Sequence, residues 1–146
     1  MNQAIQDFIG CKRIAVVGYS RNICKFGNYA YAELQKRGYQ VFAVHPTEKE
    51  ISGVKCYPNL QSLRGEIDAV LISIQPERVV PILEEASTIG VKNVWLQQGA
   101  ESVEALLAAD RLGLAIVAKK CVLMYAPPVR SFHGLHRSFT RLFGHL

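Results

Sequence analysis

Five short apolar runs punctuate the chain, at residues 14–17, 39–44, 69–74, 91–96 and 114–117. The first four stop at Gly18, His45-Pro46, Gln75-Pro76 and Gln97-Gln98-Gly99. Runs of this length, rich in Val, Ile and Ala and with little polar alternation, predict strands buried on both faces. Between them the apolar positions fall three and four apart, the spacing of one helix face. Val79, Leu83 and Ala86 form one such face, and Val103, Leu106 and Leu107 are expected to form another. Pro81 is tolerated only in a first helical turn, so the regular helix is expected to begin near Val79. Ser102 is a natural N-cap, and Gly38, Gly90 and Gly113 close the three helices. A brief edge strand is expected at 54–57 after Gly53, and Asn59 caps a short turn around 60–63.

Strands alternating with helices of about ten residues build a parallel sheet from right-handed βαβ units. The fold class expected is therefore α/β: a single, doubly wound, mostly parallel sheet flanked by helices. No repeat or linker divides the chain, so residues 1–146 are taken as one domain. A short helix is expected within 1–10, where Ile5, Phe8 and Ile9 share a face, and a basic helical tail within 127–146, where Phe132, Leu135, Phe139 and Leu142 do.

Composition narrows the class of protein. The chain is 49% apolar and 20% charged, which is ordinary for a globular domain and unlike a disordered one. No apolar run approaches the ~18 residues of a membrane span, and the N-terminus has no signal-peptide pattern, so a cytoplasmic protein is expected. The four cysteines stand singly, as free thiols do in a reducing compartment. The formal charge is +5, and from Arg111 onward there are six Lys or Arg and no acid. A basic end can meet nucleic acid or a membrane surface, but without interleaved aromatics or a recognisable module nucleic acid is not the expected partner. It leaves a protein partner, a homo-oligomer or an interaction module meeting an acidic partner open. Cys121, His133 and His136 lack the spacing of a metal site, and none is expected.

In a doubly wound sheet, ligands bind outside the carboxyl ends of the strands, beside the first strand. Those ends carry Gly18, Tyr19 and Ser20; His45 and Pro46; Ile74, Gln75 and Pro76; Gln97 and Gly99; and Lys119, Lys120 and Cys121. The first of them opens a loop holding Arg21 and Lys25, followed by Gly27 and by Asn28, which is expected to open a helix. Free loop amides and the positive end of a helix dipole suit a phosphate group. The usual NAD fingerprint is absent: after Gly18 the second and third glycines of GxGxxG are missing. His45 stands where an NAD protein places an acid for the ribose, and the loop is longer and more basic, which points to more phosphate charge than NAD carries. Trp95 reads as packing and Gln97 as a ligand contact. Cys121 reads first as a buried structural thiol and second as a neighbour of a ligand's sulfur. No catalytic constellation such as GxSxG or a paired acidic motif is visible, so no catalysis by the chain alone is expected.

These residues resemble the small stand-alone CoA-binding proteins. Their Rossmann-like fold also forms the nucleotide-binding part of the smaller subunit of succinyl-CoA synthetase and of ADP-forming acyl-CoA synthetases. The resemblance runs over nearly the whole chain. It is carried by Val17-Gly-Tyr-Ser-Arg21 with Lys25, by Gly38-Tyr-Gln-Val-Phe-Ala-Val-His-Pro46, and by Gly53 with Cys56-Tyr-Pro-Asn-Leu60. It continues through Ile67-Asp-Ala-Val-Leu-Ile72, Val94-Trp-Leu-Gln-Gln-Gly-Ala100 and Cys121-Val-Leu-Met-Tyr125. His45-Pro46 departs from the Asn-Pro of many relatives. The resemblance implies binding of coenzyme A or an acyl-CoA at the carboxyl edge, by a binding or regulatory protein. An NAD(P)-binding subunit or enzyme using the same crevice is the alternative.

Overall fold

A computed structural model describes residues 2–128; the expected helix within the basic tail, and with it His133 and His136, lies outside the described residues. Seven strands form one sheet. They are β1 (Arg13–Val17), β2 (Gln40–Val44), β3 (Glu50–Ile51), β4 (Val54–Tyr57), β5 (Ala69–Ile72), β6 (Asn93–Gln97) and β7 (Ala115–Lys120). Their spatial order is β3-β4-β2-β1-β5-β6-β7, and every pairing is parallel except β3 with β4. The helices are α1 (Gln3–Ile9), α2 (Phe26–Lys36), α3 (Val79–Thr88) and α4 (Val103–Arg111). The expected α/β class and its doubly wound, mostly parallel sheet are what the chain adopts.

The period of two along each strand divides the core between the two faces. On one face Ile14, Val16, Leu71 and Trp95 meet Ile5 and Phe8 of α1, Leu34 of α2 and Val122. On the other Ala15, Val17, Val70, Ile72, Val94 and Leu96 meet Val79 and Leu83 of α3 and Ala105 and Ala109 of α4. Trp95 is packing, as expected: it is fully buried, lies edge-on to Phe8 at 5.2 Å between ring centroids, and donates from Nε1 to the Lys120 carbonyl at 2.9 Å. Because α2 covers one face after β1 and α3 the other after β5, the winding reverses between β1 and β5. That is the crevice where such sheets bind ligands.

Several local expectations are corrected. Val103 and Leu107 are 70% and 66% exposed, and α4 buries Ala105, Ala108 and Ala109 instead. Three alanines on one stripe let the helix lie close to the sheet, and this contact outweighs the larger but oppositely placed apolar side chains. The strand at 54–57 is not the edge. A two-residue turn, Ser52-Gly53, with both residues at positive φ, folds β3 back onto it as a hairpin. Strand β5 stops two residues earlier than its apolar run, at Ile72. The sequence around Pro81 behaves as expected: a 3-10 turn at Pro76–Arg78 precedes α3, and Pro81 lies in the helix's first turn. Asn59 caps the next short turn, its Oδ1 accepting from the Ser62 amide at 2.9 Å.

Candidate functional site

Three stretches of backbone meet at the head of the β1–β5 crevice with no room for a side chain. Gly18, directly after β1, has φ +124°, and a Cβ there would overlap the Ser73 carbonyl oxygen at the exit of β5. A Cβ on Gly27 would overlap the Gly18 carbonyl oxygen and come within 2.7 Å of its carbon. The first turn of α2 thus sits directly on the end of β1. Gly18 supplies the tight turn and Gly27 the close helix–strand approach, two of the three tasks that glycines perform in a dinucleotide fingerprint. They lie nine residues apart in the sequence, which is why the fingerprint does not appear.

The intervening loop is held by its own side chains. Asn28, only 9% exposed, accepts at Oδ1 from the Ser20 amide at 2.9 Å and donates from Nδ2 to the Ser20 carbonyl at 2.7 Å. Ser20 Oγ accepts from the Asn22 amide, and Asn22 Oδ1 from the Cys24 amide, each at 3.0 Å. The Lys25 amide donates to the Asn22 carbonyl at 3.0 Å. These bonds correct two expectations. Helix α2 begins at Phe26 with Lys25 as its N-cap, and Asn28 lies inside the first turn as a clamp on Ser20. The loop amides are also not all free: those of Ser20, Asn22, Cys24 and Lys25 are committed. The amides of Phe26 and Gly27, at the positive end of the helix dipole, have no partner among the described residues.

The other strand ends lie side by side along the same edge. Tyr19 is 8% exposed and packs edge-on against Tyr31 at 5.0 Å, in a small cluster with Ala43, Ile51 and Cys56. Burial pushes its phenol pKa up, so it remains a neutral hydroxyl. Half-buried His45 accepts at Nδ1 from the amides of Thr47 at 3.2 Å and Glu48 at 3.0 Å, and so caps the turn that follows exposed Pro46. At the β5 exit Ile74 and Pro76 are half-buried and Gln75 is exposed. The Gln75 carbonyl accepts from the Arg78 amide at 3.0 Å. Gln97 is 6% exposed, and its Oε1 accepts from the Val122 amide at 3.1 Å, so that oxygen ties down the chain beyond β7. Gly99 is exposed, its amide donating to Glu101 Oε1 at 3.0 Å.

Cys121 is half-buried, where a buried thiol was expected. Lys119 has φ +65°, a left-handed conformation that is uncommon for lysine, beside a register irregularity between β6 and β7. Arg21, Lys25, Arg78, Lys119 and Lys120 are exposed and form no ion pair among the described residues; Glu48, Glu77 and Glu101 are the acids nearby in the sequence. Among the described residues no group of three or more His, Cys, Asp or Glu could hold a metal. Sequence reasoning missed Ser73, whose carbonyl backs the crevice, because a β5 strand running to residue 74 would have buried it. It also missed the clamp of Asn28, whose only signal was a polar residue in a buried first turn.

A glycine-built turn, a helix N-terminus and adjacent parallel strand ends define a Rossmann-like α/β domain. Residues 12–127 match the family described as the CoA binding domain, and the chain belongs to that family. It is 31% identical over 111 residues to YneT, an uncharacterized protein of Bacillus subtilis, covering 76% of this chain and 82% of that one. It is also 29% identical over 126 residues to the alpha subunit of the ADP-forming acetate–CoA ligase II of Pyrococcus furiosus. There the match spans 79% of this chain but 28% of the subunit. Among solved structures, a hypothetical protein from Pyrococcus horikoshii superposes with a TM-score of 0.77 at 32% identity, covering 84% of this chain and 87% of its own. No helix among the described residues is long and apolar enough to cross a membrane.

Proposed function

We propose that this protein binds coenzyme A or an acyl-CoA across the carboxyl edge of the sheet, as a binding or regulatory protein with no catalytic role of its own. The observation that carries the reading is the contact of Gly18, Gly27 and Ser73, which brings the unpartnered amides of Phe26 and Gly27 to the switch point of the sheet. A diphosphate seats there, with Arg21 and Lys25 supplying charge-assisted hydrogen bonds. The pantetheine arm then runs over the strand ends past Pro76 and Gly99 toward Cys121, with Gln97 holding the turn that presents it. The name of the matched family and the ligase activity of the longer relatives support coenzyme A over other nucleotides. Those ligases are several times longer, so their chemistry is not carried over.

The test is to identify by native mass spectrometry the small molecule retained by gently purified protein, then to titrate coenzyme A and NAD in competition. Coenzyme A is expected to be recovered and to bind at least tenfold more tightly than NAD. Equal or tighter binding of NAD or NADP would reject the reading in favour of a nicotinamide-nucleotide protein.

A further inference from the structure

The cap that His45 makes fixes which of its ring nitrogens carries a proton. Nδ1 accepts from two backbone amides, those of Thr47 and Glu48, at 3.2 and 3.0 Å. A nitrogen that accepts cannot itself bear hydrogen, so in the neutral ring the proton is on Nε2, which acts only as a donor. Nε2 has no partner among the described residues, and the ring is half-buried at the carboxyl end of β2, beside the β1 turn. The hydrogen-bond sense at this position is therefore opposite to that of a dinucleotide site. There a carboxylate at the end of the second strand accepts from ribose hydroxyls; here the ring offers a donor instead, which a charged phosphate oxygen accepts most strongly.

Resting on the proposed coenzyme A reading, we infer that His45 is the specificity-determining residue for a phosphorylated ribose: Nε2–H donates to the ribose phosphate, which coenzyme A carries and dephospho-coenzyme A lacks. The Nδ1 cap has a second function in this arrangement, because it holds the ring in one orientation and one tautomer before the ligand arrives. This lowers the cost of ordering the contact on binding.

Asparagine and aspartate at position 45 separate the cap from the donor. Both have a side-chain oxygen to accept from the Thr47 and Glu48 amides; asparagine adds a donor, and aspartate adds a second acceptor with a negative charge. His45→Ala removes cap and donor without adding charge. Each variant and the wild type would be titrated calorimetrically with coenzyme A, dephospho-coenzyme A, NADP and NAD, with thermal unfolding to confirm folding. The expected result is that His45→Asn keeps the wild-type preference for coenzyme A over dephospho-coenzyme A within about threefold. His45→Ala should lose about tenfold of that preference, and His45→Asp more, the scale of one charge-assisted hydrogen bond. Taking a ratio of two ligands cancels any uniform loosening of the turn.

An unchanged ratio in His45→Ala, or equal losses in His45→Asn and His45→Asp, overturns the inference while leaving the coenzyme A reading intact. If wild type fails to bind coenzyme A but prefers NADP over NAD, with that preference lost in His45→Ala, the proposed function falls and the donor role of His45 stands on a different phosphorylated ribose.

Discussion

Replacing Asn28 with alanine should weaken ligand binding much more than it weakens the fold. The side chain makes two hydrogen bonds to one residue, Ser20, at 2.9 and 2.7 Å, and is itself 9% exposed. Each such bond contributes about 0.5–1.5 kcal/mol net, so the clamp holds the loop by about 1–3 kcal/mol. That energy closes the loop locally and leaves the two core faces untouched. If the closed loop is the form that binds, its lost population appears directly in the dissociation constant, a weakening of about five- to a hundredfold. Asn28→Asp sharpens the comparison. It keeps the acceptor, loses the donor, and sets a carboxylate against the Ser20 carbonyl. An acid in the first turn of α2 favours the helix dipole, so stability should fall less than in the alanine variant. Affinity should fall further, because the added negative charge lies in the helix turn proposed to hold the diphosphate. Calorimetric titration with coenzyme A, thermal unfolding, and amide exchange over residues 20–25 read the three quantities. Coenzyme A affinity within twofold of wild type in a folded Asn28→Ala protein, with unchanged exchange in the loop, would refute the clamp.

Three further outcomes are expected. Lys25→Ala, at an exposed position, should weaken coenzyme A binding by about ten- to a hundredfold with little change in unfolding temperature; calorimetry at two salt concentrations checks it, and unchanged affinity would remove Lys25 from the site. Gly27→Ala forces a methyl group into the Gly18 carbonyl, so urea denaturation should show a loss of about 1–3 kcal/mol, the usual cost of overpacking, together with loss of coenzyme A binding. Asp68 is held below the usual carboxylate range by hydrogen bonds from Arg13, whose Nη2 lies 2.8 Å from Asp68 Oδ1. With the folded pKa depressed, the stabilisation is present above the unfolded value of about 3.9 and is lost as pH falls through the lower folded value. Asp68→Asn should therefore cost no more than about 1 kcal/mol at neutral pH, since the pair is partly exposed, and in acid unfolding the difference from wild type should shrink as Asp68 becomes protonated and vanish below its depressed folded value.

The sheet was legible because its signal is redundant. Five of the seven strands, all but β3 and β4, arise from a short apolar run, and each crossover helix carries its own start or stop residue. The β3–β4 hairpin was not legible because β3 contributes Glu50 and Ile51 alone, and the Ser52-Gly53 turn is a weaker mark than Asn-Gly. The inward face of α4 was misread for a different reason. Val103 and Leu107 have more apolar surface than Ala105, Ala108 and Ala109, but a small-residue stripe allows a closer approach to the sheet, and periodicity cannot weigh the two. At the site the structure brings the segments named from the sequence to one edge and shows further tasks for some of their side chains. Asn28, Gln97 and His45 were read as ligand contacts, yet each spends at least one polar atom on holding the backbone of its own edge. Nothing in a residue's identity distinguishes a side chain that meets a ligand from one that positions the loop that does.

The spacing of Gly18 and Gly27 bears on the proposed preference for a highly phosphorylated ligand. In a dinucleotide turn the glycines stand close together, and the backbone between them approaches the diphosphate directly. Here the turn and the helix contact are kept, but eight residues stand between the two glycines, and four of the loop's amides are committed to Ser20, Asn22 and Asn28. Fewer loop amides are left for a ligand, and on the proposed reading the loop would contribute mainly through the exposed side chains of Arg21 and Lys25. Exposed cations recognise charge more than shape, and gain with every phosphate within reach. The proposed donor role of His45 at the neighbouring strand end would act in the same direction, since a charged phosphate oxygen is a stronger acceptor than a ribose hydroxyl. On the proposed reading, a sheet that could serve a dinucleotide would be turned toward coenzyme A by a longer loop and one imidazole.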